Sequence, residues 1–100
     1  MVLAYIVCKN SREAERISRH LLKKRVIACA NTFPIRSLYH WNGKLIDGRE
    51  TAILAKTSEK RFPVLEREVE KMHSYEIPCI LRIPSKANAI YQRWVDKEVQ

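Results

Sequence analysis

The stretch that most constrains this fold is residues 28–57, where the alternating run Ser37-Leu38-Tyr39-His40-Trp41 meets Asn42-Gly43 and the chain turns back on itself. Side chains on a strand repeat every two residues, so Ser37, Tyr39 and Trp41 share one face. Asn-Gly is the dipeptide that best tolerates the positive φ angles of a two-residue hairpin turn. Two long antiparallel strands are therefore expected. Pro34 cannot donate a ladder hydrogen bond, which predicts a bulge or an edge position there, bending the first strand into two segments. On the return, Lys44 to Ile46 begins a strand, Asp47-Gly48 interrupts it, and residues 50–57 complete it. Strands that outrun the body of a small domain expose unpaired backbone, and a second copy of the same chain is the simplest cover.

The flanking segments supply the rest of the core. Val2, Leu3, Ile6 and Val7 form a nearly continuous apolar run, as in a central strand over Val2–Cys8. Asn10, with Glu13 three residues on, has the spacing of a capping box. Ala14, Ile17, Leu21 and Leu22 make the buried stripe of a first helix that ends near Lys24-Arg25, where positive charge suits the C-terminal dipole. Ser58 can cap a second helix carrying Phe62, Leu65, Val69 and Met72 and running to His73, with Pro63 near its first turn. A short strand over 79–83 lies between Pro78 and Pro84. A third helix over 87–99 pairs Ile90 with Trp94 and Tyr91 with Val95 at i+4. The order is strand, helix, strand, strand, helix, strand. That is an α+β, ferredoxin-like βαββαβ antiparallel sheet with an added C-terminal helix, in one domain over residues 1–100.

Several function classes have little support. The apolar opening is too short to span a membrane and lacks a basic leader or a small-residue cleavage site. Three widely spaced cysteines, Cys8, Cys29 and Cys79, contain no Cys-x-x-Cys pair, and a reducing cytoplasm is the expected compartment. The formal net charge is +8, and Arg12, Arg16, Arg19 and Lys23 fall along one helical stripe. Glu13 and Glu15 lie within pairing distance of Arg16 and Arg19, and no aromatic residues interleave. A solvated helix face is favoured over a nucleic-acid-binding module. An enzyme needs a nucleophile beside a base, or two carboxylates facing a cleft. Neither is legible, and two glycines are too few for a phosphate-cradling loop, so no enzymatic activity is expected.

Four patches together carry a family resemblance: Ala28-Cys29; Ser37-x-Tyr39-x-Trp41-x-Gly43; Glu50 with Lys56-Thr57; and His73-x-Tyr75-Glu76-x-Pro78. In this order and at these separations the chain resembles the CutA family of divalent-cation tolerance proteins, from Val2 to about Val95. The resemblance implies a PII-like homotrimer whose long hairpin strands pair between subunits, with intersubunit clefts lined by these patches. It also implies copper or another divalent cation as ligand, with no organic cofactor. The chain departs from the family in its basic balance and in Ser74, which stands where a proline is frequent.

Cys29, His73 and Glu76 offer a thiolate, an imidazole and a carboxylate, a set able to hold copper or zinc if the fold or the trimer gathers them. Otherwise Cys29 is a small core residue and His73 a helix-terminal one facing the last carbonyls. Glu50 and Lys56 share a strand face, six residues apart, and can line a cleft. There Lys56 would suit a carboxylate or phosphate, as in a small-molecule sensor that signals through an unknown partner protein. Tyr39, Trp41 and Tyr75 complete the candidate ligand cleft; buried interface is the plainer role for Tyr39 and Trp41. Cys8 and Cys79 are read as structural, and His20 and His40 as surface residues without a role.

Overall fold

Every second residue of β1 (Val2–Cys8), namely Val2, Ala4, Ile6 and Cys8, is fully buried. The face they form is covered by α1 (Ser11–Lys23) and α2 (Phe62–Met72), whose Ala14, Ile17, Leu21, Leu65 and Val69 close one continuous core. β1 is central, with β3 (Lys44–Thr57) on one side and β4 (Ile80–Pro84) on the other. β2 (Cys29–Trp41) pairs with β3 alone, giving the order β2-β3-β1-β4 with every pairing antiparallel. This is the ferredoxin-like arrangement expected from the sequence. α3 (Ala89–Glu98) is the added helix, and its Val95, with Val99 just beyond it, packs on Ala28 in a second, smaller cluster. The computed structural model describes residues 1–99.

Local chemistry sets the element ends. The Asn10 side chain accepts the Glu13 N–H at 2.9 Å, the N-cap bond that frees α1 to start at Ser11. At the other end Arg25 takes a left-handed φ of 58°, and the Val26 N–H reaches back to the Leu21 carbonyl at 2.9 Å. This six-to-one bond is a Schellman closure with arginine at the position usually held by glycine. It delivers Val26 and Ile27 into the core. The buried Thr57 hydroxyl donates to the Val26 carbonyl at 2.6 Å and fastens the end of β3 to the same corner.

One expectation from the sequence is met in part and three change. Pro34 takes the expected edge position, β2 being an edge strand, but without a bulge or a break into two segments: the register runs one-to-one from Cys29–Lys56 to Trp41–Lys44. Asp47-Gly48 does not interrupt β3. Asp47 accepts two hydrogen bonds from the Arg36 guanidinium at 2.7 and 2.8 Å, a cross-strand clasp that holds the ladder through this point. Leu22 is 41% exposed, since it lies about 100° round the helix from Leu21 and outside the buried stripe. α2 begins at Phe62 rather than Ser58; Ser58 instead caps the preceding turn by accepting the Arg61 N–H, and Pro63 sits where no donor is needed.

The strand ends decide where a cavity can form. Cys8, the last residue of β1, pairs with Thr51, while β2 and β3 continue through seven further pairs, Ile35–Glu50 to Trp41–Lys44. They close through Asn42 and Gly43 at φ 52° and 76°, as the Asn-Gly turn requires. The molecule is drawn out to 45 Å by 24 by 20 Å, and the free hairpin presents Leu38 and Leu45, both more than 60% exposed.

The corrected core makes a direct test. Ile53→Ala is expected to cost about 2–5 kcal/mol of unfolding free energy, whereas Leu22→Ala should change it by no more than about 0.5 kcal/mol. Urea denaturation of the two variants at equal protein concentration checks both; equal losses would restore Leu22 to the core.

Candidate functional site

Because β1 stops early, the loop over residues 73–79 swings across its end and faces the free part of the hairpin. The His73 side chain is fully buried, and its Nε2 lies 2.7 Å from the Val7 carbonyl. A carbonyl only accepts, so Nε2 carries the proton. Nδ1 accepts the Tyr75 N–H at 3.1 Å. Both ring nitrogens are thus engaged in a neutral imidazole.

Glu13 holds the loop from the other side. Its Oε1 accepts the Lys9 N–H at 2.9 Å and its Oε2 accepts the Ser74 N–H at 3.0 Å. Burial pushes this carboxyl up, but the hydrogen bonds from Ser74 and Lys9 outweigh that cost and leave it below its ordinary range. The capping-box residue therefore turns its carboxylate to Lys9 rather than to Asn10, and commits the second oxygen to a segment 61 positions away.

Between this loop and the hairpin lies a cavity of about 700 Å³. Tyr39, Trp41, Leu38 and Ile46 wall it from the hairpin, Tyr75, Glu76, Ile77 and Cys79 from the loop, and Val7 from the sheet. The Tyr75 hydroxyl donates to Glu50 Oε2 at 2.5 Å. Burial raises the Tyr75 phenol, and its bond to Glu50 and the charge of Glu50 raise it further. The Cys79 thiol is raised too, by burial first and then by the charge of Glu50. Glu50 and Glu76 put two carboxyl groups on the wall of this cavity. Among the described residues no Lys, Arg or His lines it, and Glu50 and Glu76 have no cationic partner.

Of the residues singled out from the sequence, Tyr39, Trp41, Glu50, Tyr75 and Glu76 come together here. Lys56 does not. It stands opposite Cys29, six residues along the ladder from the Ile35–Glu50 pair, which is about 20 Å at strand spacing. Its ammonium contacts Cys29 Sγ at 3.7 Å and the side-chain oxygen of Asn31. Within one chain Cys29 is thus separated from the 73–79 loop that carries His73 and Glu76.

The metal-ligating side chains that one chain does gather are Cys8, Glu13 and His73, all buried and with donor atoms within 4.8 Å of one another. Each is committed elsewhere. The Cys8 thiol is pushed up to about 12, by burial first and then by Glu13, while the other two engage their atoms with backbone groups. The cluster is the fastening of the loop.

Several contributors carry little or no signal in the sequence. Ile46, Ile77 and Cys79 belong to no motif and become cavity walls only through the fold. Glu13 has a local signal, its capping spacing, without any sign of its long-range bond. His20 also has a role, since its Nε2 lies 2.7 Å from Glu68 Oε1 and links α1 to α2.

Comparison with known proteins agrees with the fold. The profile of the CutA1 divalent ion tolerance protein family matches residues 2–98. The divalent-cation tolerance protein CutA of Archaeoglobus fulgidus is 40% identical over 97 residues, covering 96% of this chain and 95% of that protein. The structure of the periplasmic divalent cation tolerance protein CutA from that organism superposes with a TM-score of 0.97 at 39% identity, covering all of both chains. The PII-like protein CutA from Nostoc sp. PCC 7120, in apo form, superposes with a TM-score of 0.94 at 26% identity, covering 100% of this chain and 98% of that one. No helix among the described residues is long and apolar enough to cross a membrane.

The Glu13 fastening has a pH signature. Its carboxyl is depressed in the folded state, so the stabilisation it gives is complete above the ordinary carboxylate range and is lost as pH falls through the folded value. Glu13→Gln should cost about 1–3 kcal/mol near neutral pH. The difference in stability between wild type and Glu13→Gln should shrink on acidification below about pH 4. Denaturant melts of both proteins across the acid range check this, and a difference that stays constant would refute it.

Proposed function

The chain belongs to the CutA1 divalent ion tolerance family, and from that premise we propose that it is a homotrimeric protein that responds to divalent cations through clefts between its subunits. The observation that carries the assembly is the overhanging hairpin. Seven strand pairs extend past the sheet, with Leu38 and Leu45 exposed and β2 left as an open edge. Pairing with a second copy satisfies that backbone and covers those side chains.

The cation reading is supported by the chemistry of the cleft, where Glu50 and Glu76 meet no basic partner. Hard divalent ions favour such oxygen donors. Copper favours softer ones, and for it we propose Cys29, His73 and Glu76. Within one chain Cys29 lies beside Lys56, at the end of β3 away from the loop that carries the other two. The set therefore works only when Cys29 comes from a neighbouring copy, and His73 must release one of its two hydrogen bonds to coordinate. We assign the protein a binding role rather than a catalytic one, and the cytoplasm as its compartment on the strength of three unpaired cysteines.

A second reading, a PII-like small-molecule sensor that signals through a partner protein, is favoured by the size of the cavity and the likeness to the PII-like Nostoc protein. An anionic ligand held by Lys56 would occupy the far end of the ladder and not this cavity. The basic stripe of α1 gives nucleic-acid binding less support: Arg16 and Arg19 are paired with Glu13 and Glu15 at 3.6 and 2.8 Å.

Native mass spectrometry of metal-free protein, repeated with copper and a weak competing chelator, tests the proposal. The expected result is a trimer without metal that takes up a whole number of coppers per subunit, and whose uptake falls in Cys29→Ala while the trimer persists. A monomer at micromolar concentration overturns the assembly. A trimer that takes up no copper overturns the copper site.

A further inference from the structure

We propose that the cavity between the hairpin and the 73–79 loop takes an organic cation, a protonated amine or guanidinium carried on an apolar body. The inference rests on the reading of this cavity as the ligand site and adds the class of ligand.

Glu50 is partly buried, has no cationic partner, and engages one oxygen with the Tyr75 hydroxyl. Within one chain an anion entering beside it meets a like charge and no basic side chain. A neutral apolar ligand would strip water from the carboxylate and leave it without a counter-charge, which is costly. A cation supplies the missing partner.

Size and walls then add an organic cation to the metal ions that the carboxylates alone could attract. A metal would use only the oxygen donors of this site and gain nothing from its apolar walls. Here the two carboxylates open onto about 700 Å³, a volume suited to an organic molecule. Tyr39 and Trp41 come from the same strand face, and aromatic faces attract an ammonium or guanidinium through the ring quadrupole. Leu38, Ile46 and Ile77 offer contact to an apolar body. Cation and apolar body together use the acidic, aromatic and aliphatic walls of the cavity.

The test uses three probes of one shape: phenethylammonium, 2-phenylethanol and 3-phenylpropionate. Binding is read from Trp41 fluorescence in the full chain carrying Trp94→Phe, which removes the only other tryptophan. The ammonium should bind at least about tenfold more tightly than the alcohol, and the carboxylate more weakly than either. Glu50→Gln should bring ammonium and alcohol to within about twofold of each other. Equal binding of ammonium and alcohol by the unsubstituted site overturns the inference, as does preference for the carboxylate. So does binding of none of the three, which would mean that a second copy of the chain fills the cavity. The three-probe comparison stands without the Glu50 variant if that variant does not fold. Light scattering on the same samples keeps the two readings apart. A monomer that prefers the ammonium removes the trimer and retains the ligand class, whereas a trimer without that preference does the reverse.

Discussion

A mismatch in strand length governs this molecule. β1 has seven residues, and the two strands of the hairpin have thirteen and fourteen. Once β1 ends at Cys8, the hairpin has no sheet beside it, and the space it would have occupied is left to the 73–79 loop. The loop cannot pair as a strand there, so side chains must satisfy its backbone. Glu13 takes the Ser74 N–H and His73 takes the Tyr75 N–H, while the His73 ring in turn covers the Val7 carbonyl at the strand end. The cavity follows from the same mismatch, because a loop bridged to β1 at its base stands off from a hairpin that leaves the sheet.

The buried trio of Cys8, Glu13 and His73 shows why proximity alone is poor evidence of a metal site. Its atoms are close enough to share an ion. Ligands must however be deprotonated and have a free lone pair. Burial holds the Cys8 thiol in its protonated form, the imidazole has one nitrogen protonated and the other accepting, and both Glu13 oxygens are bonded to backbone. Removing Glu13 or His73 would orphan backbone groups at the strand end and in the loop, which is reason enough for both to be there.

Patterns with a short physical reach were the legible part of the sequence. Asn42-Gly43 specified its own turn, Asn10 its own cap, and the even spacing of Glu50 and Lys56 did put both on one strand face. Features decided across the fold were not. Asp47-Gly48 resembles a strand break until Arg36 is seen to clasp Asp47 from the partner strand. Leu22 fits an apolar stripe until the packing of α1 fixes which arc of the helix is covered. The separation of Cys29 from Glu76 within one chain was not legible either, because a linear sequence gives residue type without position along the ladder. That Cys29 lies beside Lys56, far from the loop, depends on register, and register is a tertiary property.

At first sight the charge of the chain argues against any cationic ligand. With +8 overall, the surface at large repels small cations. That repulsion is a long-range effect, and at physiological salt it decays over about 8 Å. Inside the cavity the nearest charges are Glu50 and Glu76, and the partly buried Glu50 is screened less than a surface group would be. Burial first, and then the charge of Glu50, raise the neighbouring Tyr75 phenol and Cys79 thiol. Net charge thus sets how the whole molecule behaves toward polyanions and salt, while the field inside this cavity is set locally, by Glu50 above all.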